Sequence, residues 1–155
     1  MNDGFQPLVA GSATGPAAVL TEPLSLWGGL DPDTGTVIDA HHPQRGSVIA
    51  GSVLVMPFGR GSSSSASTLL EAVRLRTHPT AIVLAEPDDI LVLGAIVAKA
   101  LYSITVPVVV LPRSAYDLIH TSDELVIAAD RLAISRAGRG VVSLRARNRD
   151  AGLTA

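Results

Sequence analysis

The chain has 155 residues, 47% apolar and 17% charged, with 12 Lys and Arg against 14 Asp and Glu, a formal charge of 12 − 14 = −2. That composition fits one domain with a sizeable core, and it excludes dominant disorder, a general nucleic-acid field and, at 3% aromatics, a stacking platform for single strands. The absence of cysteine excludes disulfides, thiol nucleophiles, Cys-type zinc sites and any iron–sulfur cluster held on this chain's own thiolates. The start, Met1-Asn2-Asp3-Gly4, has neither a basic segment nor a long apolar run, and the most apolar stretch, residues 90–98, is too short to span a bilayer. A soluble, cytoplasmic protein is expected, with one domain over residues 1–147 and a flexible tail over residues 148–155.

The first fifty-odd residues read as short strands and turns. Residues 8–11 and 17–20 are apolar runs separated by Gly15-Pro16. Gly28-Gly29 and Asp31-Pro32-Asp33-Thr34-Gly35 carry turn chemistry, because Pro fixes φ and Gly supplies positive φ. Residues 36–39 and 47–56 read as strands. The Gly- and Ser-rich stretch at residues 58–67 then leads into a helix, whose start is marked by the capping-box spacing Thr68-Leu69-Leu70-Glu71 and whose end falls near Arg76, before His78-Pro79. Residues 81–84 form a buried strand. Asp88 or Asp89 caps a second helix running to Tyr102, so apolar that burial all round is expected. Residues 106–111 are a strand and 115–119 a helical turn. Residues 125–129, 132–135 and 141–144 are late strands, with Gly138-Arg139-Gly140 as the last turn. The pattern is an α/β fold, a β-rich N-terminal part followed by β-α-β-α-β alternation, with a partly parallel sheet.

The sharpest chemical feature is Gly59-Arg60-Gly61-Ser62-Ser63-Ser64-Ser65. A Gly-rich strand-to-helix turn lets backbone N–H groups approach an anion, and the helix N-terminus adds partial positive charge. Arg60 adds a bidentate fork and the serines add hydroxyls. The spacing is not that of the nucleotide P-loop, and no Gly-x-Ser-x-Gly elbow or ordered Ser/His/Asp set accompanies it. Two readings stay open on the residues alone: an anion-binding or catalytic loop, or a polar turn with helix-capping serines.

Three blocks carry a resemblance. They are residues 23–35, running from Pro23-Leu24-Ser25-Leu26-Trp27-Gly28-Gly29 through Asp31-Pro32-Asp33-Thr34-Gly35; then Ile38-Asp39-Ala40-His41-His42-Pro43; then the Gly59–Ser65 loop. In content and spacing they resemble the small subunit of the aconitase-X family, over roughly residues 5–135. The resemblance implies the swivelling β/β/α domain of aconitases. It also implies a large partner subunit holding an iron–sulfur cluster on its cysteines, and dehydration of a small hydroxy acid. The family activities are cis-3-hydroxy-L-proline dehydratase and phosphomevalonate dehydratase. The Gly-Arg-Gly-Ser-Ser form of the loop leans toward the former, since the archaeal enzymes tend to Gly-Lys-Gly-Ser-Thr. Position by position, Ser62 matches the family's proton acceptor. Arg60, Gly61, Ser63 and Ser64 would stabilise its alkoxide and hold a substrate carboxylate, and Gly28 and Gly29 would bring a second loop close. The cluster belongs to the partner, and no metal is assigned to this chain.

Other residues admit more than one reading. Either His41 or His42 points into the site, or both serve the turn before Pro43. His78 and His120 suit helix ends. Trp27 packs in the core or at a subunit interface, or touches substrate. Arg113 ends a strand where ligands bind in α/β sheets. Arg131, Arg136, Arg139, Arg145, Arg147 and Arg149 form a basic segment, either solvated or facing an acidic partner. Three functions remain: a dehydratase small subunit, a non-catalytic anion-binding module, and a structural subunit with a degenerate site. No nucleic-acid or membrane partner is expected.

Overall fold

A computed structural model describes residues 4–147 of the chain, so the expected tail at 148–155 lies outside the described residues. The elements run β1 (Gln6–Val9), β2 (Ala13–Val19), α1 (Leu26–Gly29, a single turn), β3 (Leu30–Asp31), β4 (Thr36–Val37), β5 (Val53–Met56) and α2 (Ser64–Arg74). They continue with β6 (Ala81–Leu84), α3 (Asp89–Tyr102), β7 (Val108–Val110), α4 (Arg113–Tyr116), β8 (Glu124–Ile127), β9 (Arg131–Arg136) and β10 (Arg139–Arg145).

Strands β5 and β6 have no polar side chain and are buried at every position, the pattern of strands covered on both faces. They lie at the centre of a sheet ordered β1-β7-β6-β5-β2-β8-β9-β10, in which β2, β5, β6 and β7 are mutually parallel. The alternation along each strand splits its side chains between two cores. Leu54, Met56, Ile82, Leu84 and Val108 face a first core shared with α2, α3 and the segment from Leu20 to Val37. Val53, Val55, Ala81, Val83 and Val109 face a second, shared with α4 and strands β8, β9 and β10. The β5-α2-β6-α3-β7 alternation is as the sequence predicts.

The antiparallel half curls until the ends of the sheet meet. Phe5 donates its N–H to the Arg145 carbonyl at 3.0 Å, and its carbonyl accepts from Arg147 N–H at 2.8 Å. Its ring is wholly buried in the second core. This bridge ties the start of the chain to the end of β10, where the edge strands would otherwise present unpaired backbone groups.

Several expectations are corrected. The Thr68–Glu71 capping box does not form, because α2 begins at Ser64. Thr68 lies inside the helix, where its hydroxyl donates back to the Ser64 carbonyl at 3.2 Å, and Glu71 instead receives a bidentate pair from Arg74 at 2.7 and 2.9 Å. Packing starts the helix early: Ser65 is buried, and Gly94 of α3 lies so close that a Cβ there would stand 3.2 Å from Ala66. The helix ends at Arg74 rather than Arg76, which adopts φ +62°. Gly15 and Pro16 do not separate strands; they lie inside β2, where it passes from pairing with β8 to pairing with β5, and a prolyl nitrogen has no donor to lose there. The expected strand over 47–56 is regular only from Val53, and that over 36–39 only at Thr36–Val37. The last hairpin turns at Ala137-Gly138, with Arg139 and Gly140 already in β10. Helix α3 is not buried all round, since Leu93, Ile96 and Leu101 are exposed. Among the described residues no helix is long and apolar enough to cross a membrane.

One ion pair ties the turn after α4 to the β9–β10 hairpin. Asp123, 3% exposed, accepts from Arg136 Nε at 2.6 Å and Nη2 at 2.7 Å, and from the His120 N–H at 2.8 Å. Arg136 is thus drawn out of the basic segment into a structural pair. The Arg136 bonds hold the Asp123 carboxyl at about 2, below its ordinary 3.8. A depressed carboxyl contributes stability above its unfolded value and loses it as pH falls through its folded value. The contribution is on the order of 2 kcal/mol. Asp123→Asn should therefore unfold at lower urea at pH 7, and its deficit against the parent should shrink between pH 4 and pH 2. A deficit undiminished below pH 2 would contradict this account.

Candidate functional site

Parallel strands deliver their following loops to one edge of the sheet, so the segments after β5 and β6 emerge together. The loop at residues 57–63 follows β5 and ends at α2. Two close approaches hold it. At Gly59, a Cβ would stand 2.2 Å from Asp88 Oδ2. Asp88 is itself the N-cap of α3, accepting the Leu91 N–H at 2.8 Å. At Gly61, φ is +104° and a Cβ would stand 2.3 Å from Ser25 Oγ and 3.1 Å from Ser65 Oγ. Only glycine satisfies both the left-handed backbone and the missing space.

The segment beneath is the Leu26–Gly29 turn. Its inner dihedrals, −69°/119° at Trp27 and 77°/−14° at Gly28, are those of a type II turn, which calls for glycine at its third position. Leu26 and Gly29 are buried, and Leu30 N–H closes the turn on the Leu26 carbonyl. Ser25 Oγ donates to the Trp27 carbonyl at 3.0 Å, while Trp27 N–H reaches Ser65 Oγ at 3.5 Å. A parallel bridge between Leu24 and Gly59 completes the join. Two of the sequence blocks thus meet through backbone and hydroxyl contacts.

Ser62 lies on the exposed side of this junction. Its Oγ accepts the Ser64 N–H at 3.3 Å, and its carbonyl accepts the Ser65 N–H at 3.0 Å. The hydroxyl oxygen therefore sits against the positive end of an 11-residue helix. The N–H groups of Gly61, Ser62 and Ser63 have no acceptor among the described residues. Arg60, 61% exposed, places Nη2 3.9 Å from Asp39 Oδ2. Asp39 is steadied by the His41 N–H on its other oxygen, at 2.9 Å. The loop thus presents one N–H and a helix N-terminus to the serine oxygen, further N–H donors beside it, and an exposed guanidinium whose charge is shared with Asp39, a setting suited to an anion.

The expected site residues divide. Arg60, Gly61, Ser62 and Ser63 share the loop, Ser64 opens α2, and Gly28 lies exposed on the adjoining turn with φ +77°. Gly29 is buried, and a Cβ there would meet Leu24 Cδ1 at 2.8 Å, so its smallness serves packing. His42 is buried and structural: its Nε2 lies 3.1 Å from the Glu22 carbonyl, and its Nδ1 accepts the Gln44 N–H at 3.1 Å. His41 is exposed on the turn. Arg113 belongs to α4, pairing with Asp117 at 3.0 Å and lying over the Tyr116 ring. Burial lowers the pKa of His78 and raises that of Tyr116 to about 12. Trp27 is exposed, not core. Ser25, Ser65 and Asp39 were not singled out by the sequence; their signal, position within the same three blocks, is visible only once the blocks meet. With no cysteine in the chain, and no group of three or more His, Asp or Glu among the described residues able to hold a metal, an iron–sulfur cluster does not fit this chain's own side chains.

Comparison with known proteins places these features. Residues 5–135 match the family profile described as the aconitase X swivel domain. Cis-3-hydroxy-L-proline dehydratase of Pseudomonas aeruginosa is 48% identical over 101 residues, 65% of this chain but 17% of that protein. Phosphomevalonate dehydratase small subunit of Methanothermobacter thermautotrophicus is 43% identical over 88 residues, 57% of this chain and 67% of that one. This chain thus matches about a sixth of the length of the hydroxyproline relatives. The crystal structure of Thermococcus kodakaraensis aconitase X in its holo-form superposes with a TM-score of 0.72 at 32% identity, over 81% of this chain and 90% of that one.

The Gly61 geometry has a direct test. Gly61→Ala should destabilise the chain by about 1–3 kcal/mol, through the left-handed backbone and the Ser25 contact together. Adding Ser25→Gly should recover the steric part only. Amide hydrogen exchange over residues 59–66 reads the loop directly; unchanged protection in Gly61→Ala would refute the close approach.

Proposed function

The chain belongs to the aconitase X swivel-domain family, and we propose that it is the small subunit of a dehydratase of that family, supplying Ser62 as the base of an active site shared with a large subunit. The substrate is a small hydroxy acid, cis-3-hydroxy-L-proline in the first instance. The observation that carries the reading is the position of Ser62 Oγ, exposed, within reach of the Ser64 N–H and at the head of α2.

A serine hydroxyl is a very weak acid, so its use as a base requires surroundings that stabilise the alkoxide. The helix dipole and the Ser64 N–H act on that oxygen, and Arg60, whose charge is shared with Asp39 in the unbound chain, turns to the substrate when it binds. In the reaction the Ser62 alkoxide takes the proton from the carbon bearing the carboxylate. The electron pair left behind forms the C=C bond as the C3–O bond breaks; the departing hydroxide takes one proton from solvent to leave as water, and Ser62 returns its captured proton to solvent, which restores the alkoxide. The enamine so formed tautomerises to Δ1-pyrroline-2-carboxylate. Arg60 and the N–H groups of Gly61 and Ser63 hold the substrate carboxylate, whose charge grows as the proton departs. Help for the leaving hydroxyl comes from outside this chain. The family's iron–sulfur cluster belongs, in this reading, to the large subunit.

The identity to phosphomevalonate dehydratase small subunit supports mevalonate 5-phosphate as the second candidate substrate. The arginine in the loop, together with 48% identity to a hydroxyproline enzyme, favours the amino acid.

The test is a reconstituted pair assayed on both compounds. Ser62→Ala should lower kcat by about 10²–10⁴-fold while leaving assembly with the large subunit intact. Turnover by this chain alone, or a complex indifferent to Ser62→Ala, would end the proposal.

A further inference from the structure

Trp27 is the chain's one tryptophan, and it stands 64% exposed. The turn that carries it is fixed: Leu26 and Gly29 are buried, the Trp27 carbonyl accepts from Ser25 Oγ, and the Trp27 N–H reaches Ser65 Oγ. A large apolar side chain is therefore presented to solvent from a rigid platform, next to the Ser62 loop. Two more exposed apolar residues lie on the adjoining segments. Ile38, 44% exposed, donates its N–H to the Gly29 carbonyl of the same turn. Phe58, 37% exposed, precedes Gly59, which bridges to Leu24.

From these observations we propose that Trp27, with Ile38 and Phe58, forms an apolar docking rim around the Ser62 loop for the large subunit, and that the indole is its anchor. The inference rests on the small-subunit reading above. Three arguments choose this occupant. A small charged hydroxy acid needs donors and charge, whereas the indole offers one N–H and otherwise hydrocarbon, which calls for an apolar cover. A second copy of this chain seated on that rim would cover the Ser62 loop and close it to substrate. Lastly, in the hydroxyproline relatives the matching region is 17% of a longer chain, so other polypeptide is at hand to cover this edge. A groove of about 310 Å³ between α2 and α3, lined by Ser63, Ser64, Leu70, Leu93 and Val97, opens at the end of the same loop. A rigid, exposed aromatic pays little ordering entropy on docking, and tryptophan is the residue most often found to dominate an interface.

The experiment uses this chain carrying 5-fluorotryptophan and its purified large subunit. The single fluorine resonance should shift when the large subunit is added, and not when substrate alone is added. Trp27→Ala should weaken association by about 10–100-fold, with thermal stability unchanged and kcat at saturating large subunit unchanged. Trp27→Phe should restore most of the affinity. Unchanged affinity with a raised KM would overturn the proposal and make the indole a substrate contact. Ser62→Ala separates the two readings. If it leaves turnover intact while Trp27→Ala weakens association, the catalytic reading fails and the docking rim stands. Failure of the unsubstituted chain to bind the large subunit at all overturns both.

Discussion

A sheet whose central strands are apolar on both faces must be covered twice, and most of this architecture follows from that constraint. Val53, Leu54, Val55 and Met56 alternate between two cores, as do Ala81, Ile82, Val83 and Leu84. One face is covered by α2 and α3. The other is covered by the sheet itself, which curls through β8, β9 and β10 until Phe5 meets Arg145. Because β5, β6 and β7 are parallel, their connections must cross the sheet, and the helix-forming connections deliver their N-termini to one edge. The serine loop lies there as a consequence of how the core is closed.

At that edge the deciding contacts are those a side chain would prevent. Gly59 admits the Asp88 cap and Gly61 admits Ser25 and Ser65. Through these absences of a Cβ the loop is held against α3 on one side and the Trp27 turn on the other. The same contacts leave the N–H groups of Gly61, Ser62 and Ser63 without acceptors among the described residues while burying Ser65. These N–H groups face solvent and are open to an anion, and a preorganised positive environment is worth most when the charge it stabilises develops at a fixed place.

The site is also one-sided. In the proposed reading Arg60, Ser62 and the N–H groups hold the carboxylate and take the proton, while the described residues include no group of side chains able to hold a metal. If the large subunit docks as proposed, Trp27, Ile38 and Phe58 are the exposed apolar residues it would cover, and the seam would exclude water from the chemistry. The Asp123–Arg136 pair serves a separate purpose on the second core, joining the curled hairpin to the body of the fold.

The strands and the parallel alternation were legible because an apolar run bounded by turn residues can be satisfied in few ways. The three sequence blocks were legible as separate turns and loops, and the resemblance they carry led to the family. What local reasoning could not reach depended on neighbours distant in the chain. The Thr68–Glu71 spacing is a sound cap signal, yet α2 starts at Ser64, because Ser65 packs under the Trp27 turn and Gly94 admits Ala66. His42 became structural through Glu22, twenty residues away, and Arg136 left the basic face for a carboxylate buried by the sheet. By itself, then, the sequence determined the element types, the apolar periodicity and the chemical repertoire of the loop. Tertiary structure alone decided which hydroxyls are buried, which face solvent and which turn abuts the loop, since burial and hydrogen-bond partnership are properties of segments brought together.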